Sequence, residues 1–414
     1  MSGAIPSAAA VRRRGCRDGS LRWVLTVLLG SCASGSGSNA GQGNTTGGGG
    51  GGGATGPGVA GSADASAEGG PAGGPDAGPS AAADTSGGDV SVTDGPAPVD
   101  AGPALSPNPG SGTWADLAPI PGGPRYDGSG AVVNGWLFVV GGQLIVNGQI
   151  IVGGAGATLG RDVEGYDPKT NTWQTHVMFP VALSHANVAG VGDKLYVMGG
   201  RGTAACYVYN PFAPAAERMW KPIAQIPAQR ESAAVGVIRG KIYLAAGAIT
   251  GSDPARGDLF VYDPATDQWD VTQPPLPIGR THAASAVVND ILYVTAGRTY
   301  YERHTEVAGW LNTTFAYDPQ LRQWSQKKNA PTTRNGCVGA SIKGLFIVAG
   351  GLGGAPGGPA FFPQVEAYNP DTDEWTTLAP MKHPRDGQGQ AGIDDKLYAA
   401  AGSGTDITDM FTLP

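Results

Sequence analysis

Ser232-Ala233-Ala234-Val235-Gly236-Val237-Ile238, Arg239-Gly240, then Lys241-Ile242-Tyr243-Leu244-Ala245-Ala246-Gly247 reads as two short strands about a glycine turn. The first strand is built of small apolar residues, suited to a crowded inner position. Asp258-Leu259-Phe260-Val261-Tyr262 is a third strand, closed by the turn Asp263-Pro264-Ala265-Thr266-Asp267, and Trp269 opens a fourth. Four strands in succession with no helical stretch between them form an antiparallel meander.

The same unit recurs on both sides. Trp114, Trp173, Trp220, Trp269, Trp324 and Trp375 follow one another at intervals of 59, 47, 49, 55 and 51 residues. Between them lie the pairs Gly141-Gly142, Gly199-Gly200, Ala246-Gly247, Ala296-Gly297, Gly350-Gly351 and Ala401-Gly402. Four positions before the second small residue stand Phe138, Tyr196, Tyr243, Tyr293, Ile347 and Tyr398. Thirteen before that residue comes Arg125, Arg230, Arg280, Arg334 or Arg385, with Leu183 in the second unit. A Tyr-Asp/Asn-Pro turn follows at Tyr166, Tyr209, Tyr262, Tyr317 and Tyr368. A period near 50 residues that pairs a diglycine with a later tryptophan marks a four-stranded propeller blade.

This arrangement resembles the kelch repeat, whose hallmark is a diglycine, then a tyrosine, then a tryptophan. The resemblance covers residues 111–414 and implies an all-β, six-bladed propeller. Trp114 precedes any diglycine, while the last unit ends without a tryptophan. The strand around Trp114 is therefore expected to complete the final blade, removing the open sheet edges.

The segment before the ring has different chemistry. Arg12, Arg13, Arg14, Arg17 and Arg22 precede the short apolar run Trp23 to Leu29, the pattern of an export signal. Leu29-Gly30-Ser31-Cys32 resembles the lipobox of bacterial lipoproteins, which implies lipidation at Cys32 and, with Ala33 next, the outer membrane or cell surface. If Cys32 is not lipidated, a cleaved signal would leave the protein in the periplasm or secreted. Residues 1–31 are read as signal peptide and 32–110 as the lipidated cysteine and linker. Residues 33–110 hold 24 glycines, no aromatic residue and no Lys or Arg, so disorder is expected there. Contact with membrane is expected through the anchor only.

Charged residues make up 15% of the chain and the formal net charge is −7, so the footprint of a nucleic-acid binder is absent. Cys206 and Cys337 fall in blades two and five, too far apart around a ring for a disulfide. They read as small buried hydrophobes, and a monomer is expected.

Functional residues are sought on the rim that carries the loop between the second and third strands of each blade. From the second small residue to the Tyr of the turn, these loops span 24, 9, 15, 20 and 17 residues in units one to five. The unit-one loop contains Ile145-Val146-Asn147-Gly148-Gln149-Ile150-Ile151, a hairpin pattern. The unit-four loop combines Arg298, Tyr300, Tyr301, Glu302, Arg303, His304, Glu306 and Trp310, flat aromatic faces with charge suited to sugar or peptide recognition. The five recurrent arginines admit two readings: an anion-attracting funnel, as in some kelch propellers that bind acidic peptides, or structural groups bonding backbone carbonyls. Two residues after each Arg position come Asp127, His185, Ser232, His282, Gly336 and Gly387. Strand alternation would put these on the arginine side, and His185 and His282 could meet a common ligand. With five histidines in the chain, too few ligands converge for a metal, and no cofactor is expected.

The expected function is a surface-displayed binding or scaffolding module for a carbohydrate or protein partner. The alternative is a carbohydrate-active enzyme. Galactose oxidase and the periplasmic sialic-acid mutarotases are similar in their kelch blades. The oxidase would need a copper set that no local motif here identifies. A mutarotase would need an acid/base pair such as Glu231 beside Arg230 or Glu302 beside Arg303. Neighbours in a strand face opposite ways, so no catalytic residue is assigned.

Overall fold

The computed structural model describes residues 111–146, 149–150, 159–251, 254–300, 309–355 and 358–414. The signal, Cys32 and linker readings lie outside these residues. Among the described residues no helix is long and apolar enough to cross a membrane.

Among the described residues, six four-stranded antiparallel sheets form the body. The third is typical, with strands Ala234–Ile238, Lys241–Ala245, Leu259–Asp263 and Gln268–Asp270 paired in sequence. The sixth differs in origin: Gly389–Ile393, Lys396–Ala400 and Thr408–Thr412 are completed by Thr113–Asp116, with Trp114 opposite Phe411. The innermost strands of successive sheets are neighbours in a closed circuit, the sixth beside the first. The six-bladed reading and its closure by the strand around Trp114 therefore hold.

Burial follows the blade interfaces. Each of the six apolar clusters joins two consecutive sheets; one packs Leu259 and Val261 of blade three on Leu292 and Val294 of blade four. The recurrent tryptophans tie neighbouring blades by a second means. The indole N–H of Trp269 donates to the Ala224 carbonyl at 3.0 Å, Trp324 to Pro274 at 3.0 Å and Trp375 to Lys328 at 2.8 Å. Cys206 and Cys337 are free and buried.

Two further three-stranded sheets extend blades one and five. Arg125–Tyr126 pairs with Gln143–Val146, which pairs with Gln149–Ile150, so the hairpin of the unit-one loop is present. Arg334–Asn335 pairs likewise with Leu352–Ala355. Both pairings place the segment that enters the innermost strand on the same rim as the loop between strands two and three.

Candidate functional site

A channel of about 410 Å³ lies at the centre of the ring, lined by the innermost strands of all six blades. Its shaft is walled by residues such as Gly130, Ala189, Val235 and Val287. Its polar end is the set Asp127, His185, Ser232, His282, Gly336 and Gly387.

These six residues share one backbone state. Their φ angles are 52°, 58°, 49°, 57°, 66° and 61°, the left-handed region that Asp, His and Gly tolerate better than most residues. Their peptide groups join into a belt: His185 N–H donates to the Asp127 carbonyl, Ser232 to His185, His282 to Ser232, Gly336 to His282 and Gly387 to Gly336, at 2.9–3.2 Å. The expectation that these residues share a side with the arginines is corrected here. The chain turns through a left-handed residue instead of running extended, so the alternation breaks at this point.

The arginines are correspondingly displaced from any funnel. Arg125, Arg230, Arg280, Arg334 and Arg385 are all at most 2% exposed. Four of them donate to the carbonyl of the first residue of their own blade's small pair: Arg125 to Gly141, Arg280 to Ala296, Arg334 to Gly350 and Arg385 to Ala401. Arg334 also pairs with Glu366 at 2.8 Å, and Arg385 with both oxygens of Asp409. Arg230 pairs with Asp258. Arg280 lies 5.4 Å from the Phe315 ring centroid, and burial pulls its pKa down to about 10. The carbonyl-bonding alternative describes these groups, and the rim-binding reading of the five arginines is corrected. Leu183, in the same place in blade two, is buried in an apolar cluster.

Of the unit-four loop, Tyr301, Glu302, Arg303, His304 and Glu306 lie outside the described residues. Trp310 is buried rather than a displayed plate. Arg298 is also buried, donating to the Asn335 side chain at 3.1 Å and the Tyr300 carbonyl at 3.2 Å. It bridges blades four and five near the channel's polar end. Tyr300 is half-buried, its ring lying where a side chain on Gly309 would stand.

The two histidines do meet. Their ring centroids are 5.2 Å apart, and ligand atoms of Asp127, His185 and His282 all lie within 4.8 Å of one another. His185 Nε2 is 3.2 Å from Asp127 Oδ2, which also accepts from Gln143 Nε2 at 3.0 Å. His185 Nδ1 contacts Ser184 Oγ at 2.8 Å, and His282 Nδ1 contacts Thr281 Oγ1 at 3.0 Å. The expectation that too few ligands converge is corrected for this group, where the Asp127 carboxylate joins the two imidazoles. Burial lowers the His185 pKa to about 4, opposed by Glu231 and reinforced by Arg201 and Arg298.

Sequence reasoning missed one acid at this end, Asp386, and singled out another, Glu231, only as a partner for Arg230. Asp386 is pushed up to about 7 by burial and then by the Asp127 charge, against a 2.9 Å bond from Ser403. Glu231 is fully buried, with Oε2 accepting from Thr250 at 2.7 Å. It stands next to Arg230 in the chain but points to different partners, so the two do not form an acid/base pair.

A family model described as the KLHDC2/KLHL20/DRC7 Kelch-repeats domain matches residues 188–402. Kelch-like protein terF of Aspergillus terreus is 32% identical over 278 residues, covering 63% of this chain and 57% of its own length. Kelch-like protein 35 of Mus musculus is 26% identical over 250 residues, covering 59% and 38%. Beta-scruin of Limulus polyphemus is 27% identical over 220 residues, covering 51% and 22%. The chain thus spans 57% or less of the length of these relatives. Among solved structures, YjhT superposes with a TM-score of 0.56 at 17% identity, over 71% of this chain and 96% of that one, which is a likeness of fold.

Proposed function

The chain belongs to the kelch-repeat family, and from that premise we propose that its propeller is a ligand-binding module. The site is the channel end ringed by Asp127, His185, Ser232 and His282. One observation carries this reading. Four blades place a polar side chain at a left-handed position that blades five and six fill with glycine. The backbone alone does not demand those side chains. Grouped on one side of a channel of about 410 Å³, they suit the polar end of a carbohydrate or of a protein segment.

We further propose that the propeller is exported and held at the cell envelope by a lipid on Cys32, on the strength of the basic and apolar pattern before Leu29-Gly30-Ser31-Cys32. Metabolic labelling with a radioactive fatty acid checks this: label should enter the wild type and be absent from Cys32→Ala.

A second reading, a sugar-modifying enzyme of the mutarotase kind, draws on the Asp127–His185 pair at 3.2 Å. Nuclear magnetic resonance exchange between the anomers of sialic acid tests it, and an unchanged exchange rate with protein present removes it.

The binding reading is tested by thermal shift of the full chain with sialic acids, neutral sugars and acidic peptides. One class should raise the melting temperature, and Ser232→His should abolish that shift by filling the opening. His already stands at this backbone position in two neighbouring blades. A shift equally large in Ser232→His would move the site elsewhere.

A further inference from the structure

We propose that Asp127, His185 and His282 form a binding site for one divalent transition-metal ion, of the zinc or ferrous type, at the polar end of the channel. Three ligand atoms from three different blades already lie within 4.8 Å of one another. Tetrahedral zinc with bonds of about 2.0–2.2 Å needs its ligands roughly 3.3 Å apart. Asp127 Oδ2 and His185 Nε2 stand at 3.2 Å, and a shift of the His282 side chain by roughly 1.5 Å, from within 4.8 Å to that spacing, closes the set. Two imidazoles and one carboxylate are borderline donors that select zinc or iron over magnesium or calcium, which take oxygen shells.

The surroundings are organised as a metal site requires. Each histidine follows a hydroxyl residue, Ser184 or Thr281, and that hydroxyl contacts Nδ1. His185 Nε2 is thereby turned towards Asp127, and His282 Nε2 towards the Ser232 hydroxyl. Gln143 Nε2 holds the Asp127 carboxylate in the same way. Such outer contacts fix ligand orientation and tune affinity. The belt of peptide hydrogen bonds fixes the three Cα positions. Ser232 Oγ lies 3.4 Å from His282 Nε2, between the two histidine-bearing blades. Protein ligands on one side leave the remaining coordination positions open to the channel. Left-handed backbone does not explain the imidazoles, since Gly336 and Gly387 satisfy the same conformation.

The inference does not depend on which organic ligand enters the channel, because metal titration reads the site alone. Calorimetric titration of the full chain with zinc(II), after stripping with chelator, should give one strong site per chain. His282→Ser and Asp127→Asn should each weaken it at least 100-fold. Thr281→Val, which keeps all three ligands, should weaken it about 10- to 100-fold. Cobalt(II) substitution adds a geometric readout: a visible d–d band in the wild type, lost in His282→Ser. Serine occupies the equivalent left-handed position in blade three, so the fold accommodates it; a far-ultraviolet dichroism melt of each variant verifies this. No stoichiometric zinc binding, or binding unchanged in both His282→Ser and Asp127→Asn, would overturn the proposal.

Discussion

Arg334 donates to the Gly350 and Gln364 carbonyls and to Glu366, all inside the protein. Removing it strands a buried carboxylate that is 1% exposed. Arg334→Ala is therefore expected to cost about 3–5 kcal/mol, the range for breaking a buried pair. Thermal unfolding checks this, and a loss under about 1 kcal/mol would mean solvent reaches Glu366. His176 sits edge-on to Phe138 at 5.1 Å, and burial pulls its pKa down to about 4. Its unfolded value is near 6.5, so the unfolded chain takes up the proton first as pH falls. Stability contributed by neutral His176 is full above about pH 6.5 and is lost towards pH 4. His176→Phe should flatten the decline of melting temperature across that window, and an unchanged slope would assign it to other groups. The arginine positions were legible from their period, but their burial was not. A repeat shows that a residue recurs; it does not show which way the chain turns two residues later. That depends on the left-handed φ of Asp127 and its five counterparts, which no strand pattern encodes.

The small-residue pairs carry the same lesson for elements. Gly351 has φ +100°, and a Cβ there would lie 2.7 Å from the Asn335 carbonyl oxygen and 3.0 Å from the Cys337 Cβ. Gly344, in a turn at φ +75°, has open space around it. Gly344→Ala should cost only left-handed strain, about 1–2 kcal/mol, whereas Gly351→Ala adds a backbone collision and should cost clearly more. Equal losses in denaturant unfolding would show that the blade relaxes around the collision. The strands themselves were readable because each blade repeats the alternation of inner small residues and bulky second-strand residues. The loop contacts were not, because Trp310 and Arg298 owe their burial to neighbouring blades.

For the whole molecule, the offset of Trp114 from the first diglycine foretold the closure of the ring, since a blade lacking its outer strand must borrow one. The site at the channel's end was only half legible. Asp127, His185 and His282 share one offset from the arginine positions, but Glu231 and Asp386 join them only once six blades converge on one axis. Two sets of residues thus share one rim with different duties: buried arginines that hold the blades, and a belt of left-handed residues, four of them with polar side chains, that lines the channel. The most direct measurement of that division is the melting temperature of Arg334→Ala beside the double variant His185→Ser, His282→Ser, in chelator and without ligand. The arginine variant should melt about 6 °C or more below the wild type. The double variant should stay within about 2 °C of the wild type, because the belt is held by peptide groups. A double variant that melts as early as Arg334→Ala would contradict that division, making the histidines part of the scaffold rather than of the site.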